Sequence, residues 1–303
     1  MNKLSSNDFS IPFRSRPLSG HTTIVGTLGW PIHHVISPEI FGATFEITGA
    51  DMVLIPLNVE PGYVGDAVRG IRALGIRGTM VTMPHKQACM EFLDEIDPIA
   101  KTVGAVNAIT NTDGVLKGFN FDIDGAMTPF RGGDLAGKKV LQLGAGGGGS
   151  AMAFAMVKLG AELTILNIDP SWATDLAKKA QDFFGKPVRG GEYSIDNLSK
   201  EIRGVDMVVN STSIGFADQE EMTPVPAEMI QPEMTVYDMV FTPLETRFQR
   251  EAKERGAARV IGGLQMLVGQ ASHFFETVTG IEAPYEEMLD IGRNVLLSRR
   301  KQQ

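Results

Sequence analysis

"GKKVLQLGAGGGGSAMAFAMVKLGAELTILNID", residues 137–169, decides the fold. A run rich in Val and Leu reads as a buried strand, a glycine-rich turn follows, then a helix-length stretch of Ala and Met, then a second apolar strand. That is one βαβ unit. Gly144, Gly146 and Gly149 set G-x-G-x-x-G between the first strand and the helix, the context this pattern requires. Glycines there let the backbone turn sharply and approach a pyrophosphate, whose charge meets the free N–H groups of the helix N-terminus. The turn formed by Gly144, Ala145, Gly146, Gly147, Gly148 and Gly149 is therefore the candidate phosphate cradle of a dinucleotide-binding domain.

The second strand ends "LTILNIDP", which puts Asp169 25 residues beyond Gly144. An acidic side chain at that position accepts hydrogen bonds from the adenosine ribose and would repel a 2′-phosphate. No Arg or Lys occurs in "NIDPSWA", so NAD is expected rather than NADP. Asp169 also stands where it would cap the helix beginning near Pro170, and both roles can coexist.

Outward from this unit the alternation continues. "VDMVVNSTS", "MTVYDMV" and "ARVIGG" fit further strands, and "GLQMLVGQASHFFETVTG" a helix after the last of them. Upstream, "HTTIVGTL", "DMVLIPLNV" and "IRGTMVTM" read as strands. "PEIFGATFEITG", "GYVGDAVRGIRALG" and "PHKQACMEFLDEI" read as helices, with "GAVNAIT" and "GVLKGFNFD" as short apolar segments. Strands alternating with helices build parallel sheets with helices on their faces, an α/β class. At 303 residues the chain has room for two lobes. The expected division is an N-terminal extension over 1–20, an α/β substrate and catalytic domain with a mainly parallel sheet over 21–125, a Rossmann domain over 126–262, and C-terminal helices over 263–303 that pack back toward the substrate domain.

Composition narrows the partners. Hydrophobic residues at 43% and charged residues at 21% are the balance of a globular protein with a real core. A net charge of -8, with only short basic pieces at Arg14/Arg16 and Arg299-Arg300-Lys301, argues against nucleic acid. No apolar run is long enough to cross a membrane and the N-terminus lacks the apolar stretch of a secretory signal, so a cytoplasmic protein, monomer or homodimer, is expected. The single cysteine, Cys89, reads as a small buried hydrophobe.

Candidate polar residues sit in the first lobe. Lys86, in "VTMPHK", would lie near the N-terminus of a helix opened by Pro84; there the macrodipole opposes a cation and favours the neutral amine that exchanges protons. An exposed solubilising lysine is the plainer alternative. Asn107 and Asp122 follow apolar runs and by spacing alone are better explained as turn formers or caps than as ligands. In "GWPIHHVISPE", residues 29–39, the adjacent histidines would face opposite sides of an extended chain, and no carboxylate or thiol set accompanies them, so no metal is expected. Ser37 precedes Pro38 and could be an N-cap or a ligand.

The series G-W-P-I-x-x-x-x-S-P, V-T-x-P-x-K, G-A-V-N, G-x-N-x-D, the GAGG turn, N-x-T-x-x-G, Y-D-x-V-x-x-P-x-x-T and G-x-x-M-L-x-x-Q resembles the shikimate/quinate dehydrogenase family in order and spacing, from Ile24 to about Gly280. The resemblance implies reversible hydride transfer between a ring hydroxyl carbon and nicotinamide. It implies that Lys86 and Asp122 act on that hydroxyl, with proton transfer assigned mainly to Lys86. Asn107 and Gln270 would bond ring hydroxyls and Thr82 would line the same end, while Asn167, Asp169, Thr212, Val240 and Gly263 would lie on the cofactor side.

Against that pattern the chain departs in places. NADP-using members carry an arginine after Asn167 where this chain has Ile168. Of three hydroxyl donors to the substrate carboxylate, only Ser37 remains; the other two positions are Val35 and Phe241. Phe121 replaces a threonine and Met80 an asparagine. Each lost bond to a buried charge costs on the order of 1.5–3 kcal/mol, so the substrate is expected to keep a hydroxylated ring without the usual carboxylate. Val35 and Phe241 could instead simply fill core. Other donors, His33, His34 or Arg14, would restore an ordinary shikimate or quinate dehydrogenase. A third reading is an NAD-binding sensor without turnover, against which the retention of both Lys86 and Asp122 argues.

Overall fold

The computed structural model describes residues 17–300 and divides into two compact units, one running to Phe121 and resuming at Ala271, the other spanning Asp122–Gln270. Arg14, raised above as a donor, lies outside the described residues.

The first unit is built on β1 (Thr23–Gly29), α1 (Ser37–Thr48), β2 (Met52–Asn58), α2 (Val64–Ala73), β3 (Gly78–Val81), β4 (Glu95–Ile96), α3 (Pro98–Val103), β5 (Ala108–Thr112) and β6 (Val115–Phe119). Its sheet has the order β2-β1-β3-β5-β6-β4. β1 lies parallel to both neighbours and is buried from Val25 to Gly29, as a strand covered on two faces must be. Pro56 is accommodated because β2 is an edge strand and need donate to one side only. The two short apolar segments become an antiparallel hairpin, with Thr112 opposite Val115 and Asp113-Gly114 as the turn. Both turn residues have positive φ, 52° and 86°, the conformation that Asp-Gly favours in a two-residue hairpin.

The helix expected over 84–96 is not formed. A turn leads into a short 3-10 helix, Ala88–Phe92, and then into β4. Tertiary partners capture the backbone: the Lys86 carbonyl accepts from the Val106 N–H at 2.8 Å, and the buried His85 ring sits 2.6 Å from the Val59 carbonyl oxygen. Cys89 is fully buried here, and burial pushes its thiol up to about 12.

The second unit begins within α4 (Phe121–Met127). It continues through β7 (Lys139–Leu143), α5 (Gly147–Lys158), β8 (Glu162–Asn167), α6 (Pro170–Phe184), β9 (Val188–Glu192), α7 (Ile195–Glu201), β10 (Met207–Asn210), β11 (Thr235–Asp238), α8 (Arg247–Glu254) and β12 (Arg259–Ile261). Six parallel strands in the order β12-β11-β10-β7-β8-β9 are the doubly wound arrangement of a Rossmann domain. Leu141, Leu166, Val208, Val236 and Phe248 belong to its core. The chain returns to the first unit within α9 (Gly263–Thr279) and closes with α10 (Tyr285–Arg300). In the first unit Phe274 and Phe275 of α9 pack on Phe41 and Phe45 of α1, with ring centroids 5.8–6.4 Å apart.

Candidate active site

At the carboxyl ends of β7, β8 and β10 the second unit carries a cleft of about 470 Å³, lined among others by Gly144, Gly146, Asn167, Asp169, Trp172 and Thr212. Strand order reverses between β7 and β10, and such a switch point opens the crevice in which doubly wound sheets bind ligands. The glycines are needed where the sequence pattern puts them. Gly144 has φ +101°, and a side chain there would stand 2.9 Å from Thr212 Cγ2; one on Gly149 would stand 2.7 Å from the Gly144 carbonyl oxygen. Nothing lies within 4 Å of a Cβ at Gly146, which leaves the middle of the turn open to a ligand. Gly147, Gly148 and Gly149 form the first turn of α5. This cradle fits a pyrophosphate.

Asn167 ties the turn to β8: its side-chain oxygen accepts from the Ala145 N–H at 3.1 Å, and its amide donates to the Asp169 carbonyl at 3.0 Å. Asp169 is the N-cap of α6. Its Oδ1 accepts from the Ser171 hydroxyl at 2.6 Å and the Ser171 N–H at 2.9 Å, and these bonds, the hydroxyl first, hold the carboxyl below its ordinary range. The capping alternative thus accounts for that oxygen without a ribose.

Thr212 is set from below. Its hydroxyl donates to Asn210 Oδ1 at 2.6 Å, the Asn210 amide donates to Asp238 Oδ1 at 2.9 Å, and the Thr246 hydroxyl donates to the other Asp238 oxygen. Asp238 is completely buried; desolvation raises its carboxyl and these bonds partly offset the rise. Reading by motif found Thr212 but gave Asn210, Asp238 and Thr246 no role, although all three occupy fixed letters of the motifs. Val240 and Gly263 are buried beside this network: the Val240 N–H donates to Asp238 at 3.1 Å, and a side chain on Gly263 would meet the Met239 carbonyl oxygen at 2.1 Å.

In the first unit the polar candidates gather at one end of the sheet. The Thr82 N–H donates to the Leu28 carbonyl and the Val81 N–H to the Asn107 carbonyl, so Thr82 and Asn107 sit at the ends of adjoining strands. Asn107 is buried and its side-chain oxygen accepts from the Phe121 N–H at 2.7 Å. Lys86, half-buried, is joined to this group through its carbonyl bond to Val106. The helix whose dipole was expected to act on Lys86 is absent.

Ser37 is not the N-cap of α1; that position is Ile36, which makes no side-chain bond. The Ser37 hydroxyl lies 3.0 Å from that of Thr27, a buried residue of β1 that sequence reasoning passed over. Its only signal was a hydroxyl within an otherwise apolar strand. Phe121 stacks between Phe119, at 5.3 Å, and His273, at 6.2 Å, so an aromatic wall stands where the family pattern has a threonine. His33 and His34 are exposed, and no group of three or more His, Cys, Asp or Glu suited to a metal occurs among the described residues.

Val35 is half-buried in the first unit; Phe241, half-buried, and Asp122, buried in the first turn of α4, belong to the second. Gln270 is the last residue of the second unit. No described helix is long and apolar enough to cross a membrane.

Residues 27–109 match the family model described as the shikimate dehydrogenase substrate binding domain. A curated relative from Moorella thermoacetica, named shikimate dehydrogenase (NADP(+)), is 41% identical over 88% of this chain and 91% of its own length. Among solved structures, the shikimate 5-dehydrogenase of Listeria monocytogenes in complex with shikimate and NAD is 32% identical with a TM-score of 0.85, covering 91% of this chain and 98% of that one. The ligand-free 5-ketofructose reductase of a Gluconobacter strain is 29% identical with a TM-score of 0.84, covering 91% and 100%. The expectation of NAD is corrected by these relatives: the curated proteins from Moorella, Methanothermobacter and Geobacillus are all named for NADP(+). The inference from Asp169 gave to the ribose an acid whose Oδ1 is engaged in capping α6.

Proposed function

The chain belongs to the shikimate/quinate dehydrogenase family, and from that premise we propose that it is a cytoplasmic NADP-dependent dehydrogenase of a cyclic polyol whose recognition of a carboxylate is reduced. The dinucleotide, held at the Gly144–Gly149 turn, supplies the hydride acceptor and donor. Lys86 takes the hydroxyl proton as the ring carbon is oxidised and returns it in reduction; Asp122 orients the hydroxyl. Asn107, Gln270 and Thr82 bind the remaining ring hydroxyls.

One observation carries the reduced carboxylate recognition. At the turn that begins α1, the hydroxyl of Ser37 is paired with that of Thr27, while Val35 offers only an apolar side chain. A second reading, an ordinary shikimate or quinate dehydrogenase, is favoured by the names of the curated relatives and would have the Ser37–Thr27 pair supply the donors. The 5-ketofructose reductase among the structural relatives supports the first, because its named substrate has no carboxylate.

The test is reduction of NADP+ and NAD+, followed by absorbance, with shikimate, quinate and cyclic vicinal diols lacking a carboxylate, and with Lys86→Ala as control. Lysine-dependent turnover of the carboxylate-free rings in preference to shikimate and quinate is expected. Micromolar KM on shikimate or quinate would establish the second reading, and dinucleotide binding without turnover on any ring would leave a sensor.

A further inference from the structure

The turn between β1 and α1 is held from an unexpected direction. Arg299, in the last turn of α10, donates to the carbonyl of His34 at 3.0 Å and to that of Val35 at 2.9 Å, and it pairs with the carboxylate of Glu39 in the first turn of α1. From the opposite flank Asn58, at the end of β2, accepts from the Ile32 N–H at 3.2 Å. The segment from Ile32 to Ile36 contains no strand or helix of its own, so these contacts replace the ladder bonds that would otherwise fix it. A planar guanidinium can serve two successive carbonyls and a carboxylate at once, which an ammonium on a flexible stem does poorly.

We propose that Arg299 is a positioning residue for substrate binding: it sets the backbone of His34 and Val35, and through it the Ser37 hydroxyl beside Thr27, so that affinity for the cyclic substrate depends on the end of the last helix. The inference rests on the reading of Ser37 as a substrate group. Arg299 touches no reacting atom, and the chemistry of Lys86 and Asp122 does not pass through it.

The experiment compares Arg299→Gln and Arg299→Lys with the parent enzyme in steady-state kinetics, thermal unfolding and amide hydrogen exchange. Arg299→Gln should raise KM for the ring substrate roughly tenfold, as loss of charge-assisted hydrogen bonds does. The KM for NADP+ and kcat should stay within about twofold, and Lys should restore part of the loss. Exchange should quicken over residues 32–37 and not elsewhere in the first unit. An unchanged KM with parental turnover would overturn the proposal while leaving the dehydrogenase reading intact. Equal losses in kcat and in both KM values, with a lowered Tm, would reduce Arg299 to a structural tie. If the parent turns over no ring, the dehydrogenase reading fails, and unaltered exchange over residues 32–37 would then overturn the positioning role on its own.

Discussion

Lys86 bears the largest chemical demand in the proposed reaction, and replacing it tests little else. Lys86→Met should lower kcat by about 10²–10⁴-fold, the usual worth of a positioned acid–base group, while NADP+ binding measured by calorimetry stays near parental. Asp169 offers a different test. Its carboxylate caps α6 and is held below its ordinary range by Ser171, so a 2′-phosphate of the proposed NADP would meet a negative charge if it lay at the end of β8. Asp169→Ser keeps a capping oxygen and removes the charge; KM for NADP+ should fall several-fold with little change in Tm. A rise in KM for NADP+ would mean that the carboxylate assists binding. The glycine pattern and the ordered motifs made most of these residues legible in the sequence. Arg299 was not, because it acts through partners far away in the chain, and no local pattern announces a bond across 265 residues. Thr27 and Asn210 bond residues ten and two positions on, and were missed because neither a hydroxyl in a strand nor a motif asparagine declares its partner.

Among the elements, the Rossmann strands were readable because apolar runs between turn signals leave few alternatives. β9 was not: "VRGGE" carries two glycines and one apolar residue, and it is a strand because Gly190 lets it lie against α6, where a side chain would meet the Ala173 carbonyl oxygen at 2.4 Å. The helix expected over 84–96 failed for the opposite reason, since its apolar spacing is satisfied by burial of Cys89 in a 3-10 turn. Asp94 fastens that connector, accepting from the Leu116 N–H at 2.7 Å and pairing with Arg72 at 2.9 Å. The Leu116 bond and then Arg72 hold its carboxyl below its ordinary 3.8, so the contribution to stability is complete above that value and is lost as pH falls through the lower folded value. The Tm gap between the parent and Asp94→Ala should therefore be open at about pH 6 and narrow as pH falls below the ordinary carboxylate range. At the turn after β7, Gly144→Ala should weaken NADP+ binding and lower Tm together, since the added methyl meets both an unfavourable φ and the Thr212 side chain.

For the molecule as a whole, each unit has its own core. NADP+ should slow amide exchange at 144–149 and 211–214, and a productive ring substrate should slow it at 27–37 and 82–86, each with little effect on the other set; exchange mass spectrometry resolves the two. The second unit is one uninterrupted stretch, Asp122–Gln270, whereas the first is completed by residues from Ala271 onward. On the ribosome this order matters. The Rossmann unit can close as soon as its own residues have emerged, yet the unit begun before it must wait for Phe274, Phe275 and α10 to arrive. The unit begun first is thus finished last, and until Phe274 and Phe275 emerge the nascent chain leaves Phe41 and Phe45 of α1 without their aromatic partners, a face that a chaperone can hold.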